Sequence, residues 1–288
     1  MSALLSIFVL GTIWGAIYSL IAVGFTLILG VAGIVNLAHG AFYMIGAYLA
    51  YTFMSILKLN VVLSALLAVA WVAVIGMILD QVGIRPFREN HAYQVVLTLI
   101  FGQTFCRQVI YAIYGAHGKS VQNFINGDIE LAGMYISYQK LLIICAAIIV
   151  VSLLWIFIKK TKIGKSISAV EQNKVASILM GIRYERVYMI TMGISAALAA
   201  LAGVLASPII EAEPGMSSFP LFKAFAIVVI GGLGSMGGAI IVSLLLAYSE
   251  TAVSYLLSAN YADMVYLTVM ILILVVRPTG ILKAGRMN

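Results

Sequence analysis

Three stretches of this chain carry residue types that could do chemistry. Gly232-Leu233-Gly234-Ser235-Met236-Gly237 follows the strand-like run Ala226 to Ile230 and has Glu250 downstream. That arrangement lets a dinucleotide-binding turn bring backbone against a pyrophosphate. Gly164-Lys165-Ser166 has the ending of a phosphate-cradling loop, and His39, His91 and His117 are the histidines a metal centre could draw on. Each reading fails on context. The glycine run has lipid-compatible flanks on both sides, where the fingerprint needs a soluble parallel sheet. Lys159 stands where the phosphate loop requires its first glycine, and no strand precedes it. The histidines are too scattered to share a metal, and no nucleophile and base are spaced for pairing. The sequence therefore predicts no enzyme, no catalytic residue, no metal centre and no ATP site of its own.

What remains is a small set of polar residues inside apolar segments. A charge at the bilayer centre costs roughly 2.5–3.5 kcal/mol on insertion scales, so each needs a reason to be there. Glu250 and Arg107 read as the deepest. Glu250 is expected to face a passage or to pair helices, and Arg107 to snorkel toward the outer headgroups. Asp80 is expected to be solvated near the inner interface. Asn36 and His39 open a helix, where free backbone N–H groups favour a carboxylate. Asn36, His39 and Gly40 precede an apolar helix in the first half, and Gly231, Gly232, Gly234 and Gly237 hold the matching place in the second. Glycine-interrupted segments in matching places point to the passage of repeat-built transporters. Non-helical backbone at membrane depth is tolerated only against protein or a wet cavity. With Glu250, these are the candidate passage residues.

The elements that must position them are membrane helices. Of 288 residues, 63% are apolar and 9% charged, against about 25% charged in a soluble domain; mean hydropathy is +1.11. Spans need about 20 apolar residues, which predicts 5–30, 37–57, 61–82, 93–114, 139–158, 187–207, 237–257 and 261–277, with a shorter piece at 219–231. The fold class is all-α: one polytopic bundle over 1–288, with about eight full spans and one short or re-entrant helix. The first run has no basic flank or cleavage site and is expected to be retained. Cys106 and Cys145 lie in apolar stretches and are expected to be buried. Gly11, Gly15 and Ser19, Ala196 and Ala200, and Ala199 and Gly203 place small residues at i, i+4 spacing, where helices approach closely in lipid.

Charge sets the orientation. The net charge of +7 falls in loops rather than in a basic stripe interleaved with aromatics, which excludes nucleic acid as a partner and suits anionic headgroups. Lys159, Lys160, Lys162, Lys165, Lys174, Arg183 and Arg186 form a basic island at 159–186, opposed only by Glu171 and Glu185. The positive-inside rule puts it in the cytoplasm, together with Arg85, Arg88 and the tail carrying Arg277, Lys283 and Arg286. Segment 115–136 and the Glu211/Glu213 loop go outside, and parity leaves the N-terminus outside. Within the island, Ile167, Val170, Val175, Ile178, Leu179 and Ile182 approximate one helical face, and Gly181 stands where a helix C-cap is expected. A short amphipathic helix could rest on headgroups or dock into another protein.

Ala169-Val170-Glu171 followed by Gly181 resembles the Glu-Ala-Ala…Gly coupling loop of ABC-importer permeases. Val35-Asn36-Leu37-Ala38-His39-Gly40, then Tyr43-Met44-Ile45-Gly46-Ala47-Tyr48, is similar to the Asn-Phe-Ala-His-Gly…Gly-Ala-Tyr signature of LivH-type permeases, the branched-chain amino acid permeases of bacterial and archaeal ABC importers. The Gly231-to-Ala239 run with Glu250, and the ending Arg277-Pro278-Thr279-Gly280-Ile281-Leu282, are also similar to that family. The resemblance runs over essentially the whole chain. Ala41 stands where members often have glutamate, and Arg107 where they are often apolar or carry an amide. The resemblance implies a multi-pass permease of a prokaryotic inner membrane, moving leucine, isoleucine and valine inward. Ala169, Glu171, Ala176 and Gly181 would be its ATPase-coupling residues. Implied partners are a second related permease, two ATPases that hold the ATP and Mg, and an extracytoplasmic solute-binding protein; this chain itself would bind no cofactor. Urea or short amides are the alternative cargo within the family. A self-contained secondary transporter is the alternative outside it.

Overall fold

The computed structural model describes residues 2–88, 92–131, 134–276 and 280. His91, the basic tail residues and most of the Arg277-to-Leu282 ending therefore lie outside the described residues. The helices are α1 Ser2–Ala32, α2 His39–Tyr51, α3 Val61–Ile78, α4 Ala92–Tyr114, α5 Tyr138–Lys160, α6 Lys162–Gln172, α7 Lys174–Leu179, α8 Tyr184–Ala206, α9 Ser218–Gly231, α10 Met236–Leu256 and α11 Ala259–Val276. A hairpin of β1, Asp128–Leu131, and β2, Met134–Ser137, pairs Ile129 with Ile136 between α4 and α5. Among the described residues, seven helices are long and apolar enough to cross a membrane: Leu4–Ala32, Val61–Phe87, Tyr93–Tyr114, Tyr138–Lys160, Tyr184–Ala206, Pro214–Gly231 and Met236–Leu256.

The all-α polytopic bundle is as the sequence predicts, but the short helix is not the one expected. The 219–231 piece gains a 3-10 turn, Pro214–Ser217, and reaches spanning length. The 37–57 segment instead begins late, at His39, runs 13 α-helical residues and widens into a π-helical turn over Thr52–Ile56. Its start lies deep in the bundle. His39 Nε2 is 3.0 Å from the carbonyl oxygen of Ile21, in the body of α1, and Nδ1 is 3.4 Å from Ser195 Oγ, halfway along α8. At 1.5 Å rise per residue, Ile21 is about 16 Å from the α1 terminus. Segment 33–38 thus folds back into the bundle before α2 begins.

Small residues set the spacing. α1 runs antiparallel to α10: a methyl on Gly15 would stand 2.7 Å from Leu244 Cδ2, and Gly11 faces the Tyr248 ring. On α8, Ala196 packs against Gly76, Ala200 against Gly46, and Gly203 against the Tyr43 backbone. The predicted rows of small residues are therefore contact faces. Cys145 differs from expectation. It faces out of the bundle on α5, which packs on α1 by a narrow stripe centred on Ile143, Ala147 and Leu154, and Cys106 on α4 is only part-buried.

The two ends of the bundle differ in chemistry. The basic end gathers α6, α7, the start of α8, the α9–α10 turn and the Arg85–Glu185 ion pair. Lys159 Nζ sits 4.2 Å over the Trp155 ring there, a pairing suited to a membrane–water boundary. The opposite end holds the hairpin, the segment that leads into it from α4, and the 207–217 loop, the last two joined where Lys119 and Ala212 exchange backbone hydrogen bonds of 2.9 Å. The two segments assigned to one side of the membrane thus meet at one end.

Gly46→Ala should lower the melting temperature of the detergent-solubilised chain, because the new methyl would lie 2.6 Å from Ala200 Cα and overpacking costs about 1–3 kcal/mol. Gly102→Ala, whose methyl would meet only Leu79 Cδ1 at 3.8 Å, should melt within about 1 kcal/mol of the parent.

Candidate functional site

The candidate passage residues separate into three places. Asn36 and His39 are buried at the start of α2. Asn36 Oδ1 accepts from the Ala38 amide at 3.1 Å, its Nδ2 reaches Met192 Sδ at 3.4 Å, and His39 packs edge-on against Phe25 with ring centroids 5.4 Å apart. These groups spend their hydrogen bonds on the fold-back that starts α2. Gly40 allows the closest approach: a side chain there would overlap the carbonyl oxygen of Ser217, so the first turns of α2 and α9 touch. Both first turns therefore meet inside the bundle.

Gly231, Gly232, Gly234 and Gly237 lie elsewhere. They form the turn between α9 and α10 at the basic end, with Gly232 at φ +100 and Gly234 at φ +83, conformations that glycine adopts without steric cost. Ser235 Oγ accepts from Gly238 N at 3.1 Å and caps α10. A methyl on Gly231 would stand 2.7 Å from the Gly238 carbonyl carbon. The letter-for-letter dinucleotide pattern is therefore a tight helix–helix turn. The element that pairs with the 33–38 fold-back is the 207–217 loop, whose end touches Gly40, rather than the glycine run. Gly164 has a parallel explanation: Thr161 Oγ1 accepts from Gly164 N at 2.9 Å where α6 doubles back on the last turn of α5.

Glu250 lines a cavity of ≈ 640 Å³ at the end opposite α6 and α7. Its carboxylate forms an ion pair with Lys223 of α9. Tyr18 of α1 bridges the two, accepting from Lys223 Nζ at 2.8 Å and donating to Glu250 Oε2 at 3.0 Å. By position Glu250 links α10 to α9 and α1 while bordering open volume. Sequence reasoning missed Lys223 and Tyr18. The signal was present in Phe222-Lys223-Ala224, a cation inside an apolar helix that also contains no acid to pair with it. Arg107 lies part-exposed on the outer face of α4, away from this cluster.

At the basic end, the island forms two helices rather than one. Asn173, at φ −158 and ψ 104, breaks the predicted helix, and its Oδ1 accepts from Ala176 N at 3.0 Å to cap α7. The expected single apolar face is split accordingly. Ile167 and Val170 are buried against the bundle, whereas Val175 is 67% exposed, Met180 71% and Leu179 84%. Gly181, at φ +81, ends α7 as a left-handed cap, its amide donating to the Ile178 carbonyl at 2.9 Å. Ala169 and Ala176 are half-buried. Glu171 is exposed as a residue, yet its carboxyl end lies over Gly30 of α1 beside Gly234, and burial there pushes its pKa up.

Asp80 corrects another expectation. It is 1% exposed rather than solvated and forms an ion pair with Arg88, whose guanidinium sits 4.2 Å over the Tyr188 ring. The helix-to-linker transition thereby folds Arg88 back onto α8. Asp80→Ala should cost about 3–5 kcal/mol in thermal unfolding, since it leaves Arg88 buried without a counter-ion. Arg85→Ala, at an exposed pair, should cost at most about 1 kcal/mol.

Known proteins are similar to this chain in sequence or in fold. The chain matches the family described as "Branched-chain amino acid transport system / permease component" over residues 7–274. It is 32% identical over 282 residues to the high-affinity branched-chain amino acid transport system permease protein BraD of Pseudomonas aeruginosa, covering 93% of this chain and 92% of that protein. It is 31% identical over 286 residues to the corresponding permease protein LivH of Escherichia coli, covering 94% and 93%. Its fold is similar to a chain of PsaBC from Streptococcus pneumoniae in complex with Fab, with TM-score 0.54, 12% sequence identity, and coverage of 94% of this chain and 91% of that one.

Proposed function

Since this chain belongs to the family of branched-chain amino acid transport permease components, we propose that it is the membrane-spanning subunit of an ABC importer that moves leucine, isoleucine and valine inward. The basic end faces the cytoplasm, as the positive-inside rule requires, and the cavity bordered by Glu250 opens toward the outside. A solute-binding protein delivers the amino acid there. A second, related permease completes the passage, and two ATPases on the cytoplasmic side hold the ATP and Mg that drive it. The relatives named for branched-chain amino acids, which cover nearly the full chain, favour this cargo over urea or short amides.

The observation that carries the coupling role is the exposed apolar tip of α7. Val175, Leu179 and Met180 project from the most basic part of the molecule, where a water-facing segment has no reason to display them. Apolar side chains in such a place suit a groove in a partner. The tip is firmly mounted. α6 packs on α5, α8 and α1, its Thr161 cap fixes its entry, and Glu171 rests over Gly30. A displacement of α7 by a closing ATPase pair is therefore passed to α1, whose other half carries Trp14, Tyr18 and Ile21 in the cavity wall. α1 in turn grips α10 through Gly11 and Gly15. Rigid helices joined by close backbone contacts transmit such motion as rocking rather than bending. Asn36 and His39 serve this frame by seating the start of α2, and the glycines at 231–238 serve it by locking α9 to α10 beside Glu171.

Leu179→Asp should weaken association with the ATPases by about 2 kcal/mol or more, roughly thirtyfold, and abolish ATP-dependent leucine uptake in membrane vesicles. Glu171→Lys should do the same to uptake. Both variants should insert at parental levels, measured by membrane fractionation. Full uptake by either would remove the coupling assignment.

A further inference from the structure

We propose that the cavity between α1, α9 and α10 is a binding site within this subunit for a free amino acid with an apolar side chain, its α-carboxylate held by Lys223 and its α-ammonium by Glu250. The choice of solute rests on the import reading above. The site itself rests on geometry. A volume of ≈ 640 Å³ falls within the 300–1,000 Å³ range of small-molecule pockets. The wall is apolar where Trp14, Ile17, Ile21 and Phe219 line it, a surface suited to a branched aliphatic chain. Tyr18, Lys223 and Glu250 share that wall, with Glu211 and Glu213 of the 207–217 loop.

The charge arrangement selects the ligand class. Lys223 and Glu250 lie side by side, and their side chains keep 12% and 18% of their area open. A sealed helix tie would not border open volume. A zwitterion carries the complementary pair on neighbouring atoms: its carboxylate accepts from Lys223 Nζ while its ammonium donates to Glu250. Four alternating charges then replace two, the net charge of the cluster is unchanged, and neither protein charge is left bare in an apolar wall. Tyr18 fixes the orientation, since its hydroxyl holds both partners and its ring lies 5.0 Å from Lys223 Nζ. A ligand with only an ammonium leaves Lys223 without an added partner. One with only a carboxylate repels Glu250. The contact must be weak, because a solute that stays bound is not transported.

The test is saturation-transfer NMR on the full chain in nanodiscs, without ATPases, using L-leucine as the probe. Saturable transfer to leucine, strongest on its methyl protons, with an affinity of about millimolar, is expected. Leucinol, which lacks the carboxylate, and 4-methylpentanoate, which lacks the ammonium, should compete at least about tenfold more weakly. Lys223→Met and Glu250→Gln should each reduce leucine transfer by about tenfold or more. The wild-type competition needs no variant, so it decides the matter even if those substitutions disturb folding. Absence of saturable transfer, leucinol competing as well as leucine, or unchanged transfer in both folded variants overturns the site. Uptake by the assembled importer, measured in parallel, separates the two readings. Uptake without binding by this chain overturns the site and leaves import standing, whereas binding without ATP-driven uptake supports the site and removes the import role.

Discussion

Close packing of α1 is the constraint on which the rest of the structure depends. In lipid there is little hydrophobic force between helices, so a central helix is held by shape and by the few polar links it can make. α1 is buried from Gly15 to Ile28, and it meets its neighbours through glycines: Gly11 and Gly15 against α10, Gly24 against α8, and Gly30 against Glu171 of α6. These contacts fix the depth of α1 relative to both ends of the bundle. Because the helix is rigid over its 31 residues, whatever is attached to one end is mechanically registered with the other. The Tyr18 link to Lys223 and Glu250, at mid-helix, and the Glu171 seat at Gly30 are two polar attachments of that one rod.

Among the described residues, charged groups inside the bundle are few, and the two ion pairs there are each joined by a further side chain. Asp80 with Arg88 holds the linker after α3 against Tyr188 of α8, and Lys223, Glu250 and Tyr18 are drawn from α9, α10 and α1. A charge that would cost several kcal/mol alone in an apolar medium becomes tolerable with its counter-ion and a further donor or acceptor. The consequence is specificity of assembly: α9 misplaced by one turn against α10 would separate Lys223 from Glu250 and leave both charges uncompensated. The two clusters stand at different depths, so together they fix both the rotation and the height of the helices that contribute to them.

Much of this was legible in the sequence because it follows from local patterns. Segregated charge separates the two ends, apolar length gives the spans, and rows such as Ala196 and Ala200 identify contact faces. Gly181 was legible as a cap because a left-handed residue at a helix end is a local requirement. What was not legible depends mostly on how the chain folds back on itself. The partner that makes Lys223 acceptable is on another helix, so composition alone marks the cation as an anomaly without resolving it. Asp80 looked solvated because its position near a span end says nothing of Arg88 folding back. The fold-back at 33–38 was hidden because an apolar run reads the same whether its helix starts at the surface or at depth. The break at Asn173 was missed for a different reason: asparagine both ends and starts helices by capping, and a periodic apolar pattern continues through it. The glycine run misled because an αL-rich helix–helix turn and a nucleotide-binding turn need the same freedom.

The deep start of α2 also shapes how the chain is made. His39, Gly40 and nearly every residue of α2 through Ala50 are buried by other protein, and the Ser195 partner of His39 is 156 positions away in the chain. When α2 leaves the ribosome, the helix that will enclose it has not been synthesised. Until α8 arrives, a segment too short to cross the bilayer, with an imidazole at its inner end, must wait beside α1. Biogenesis of this protein therefore has a late closing step, in which the second half of the polypeptide completes the first.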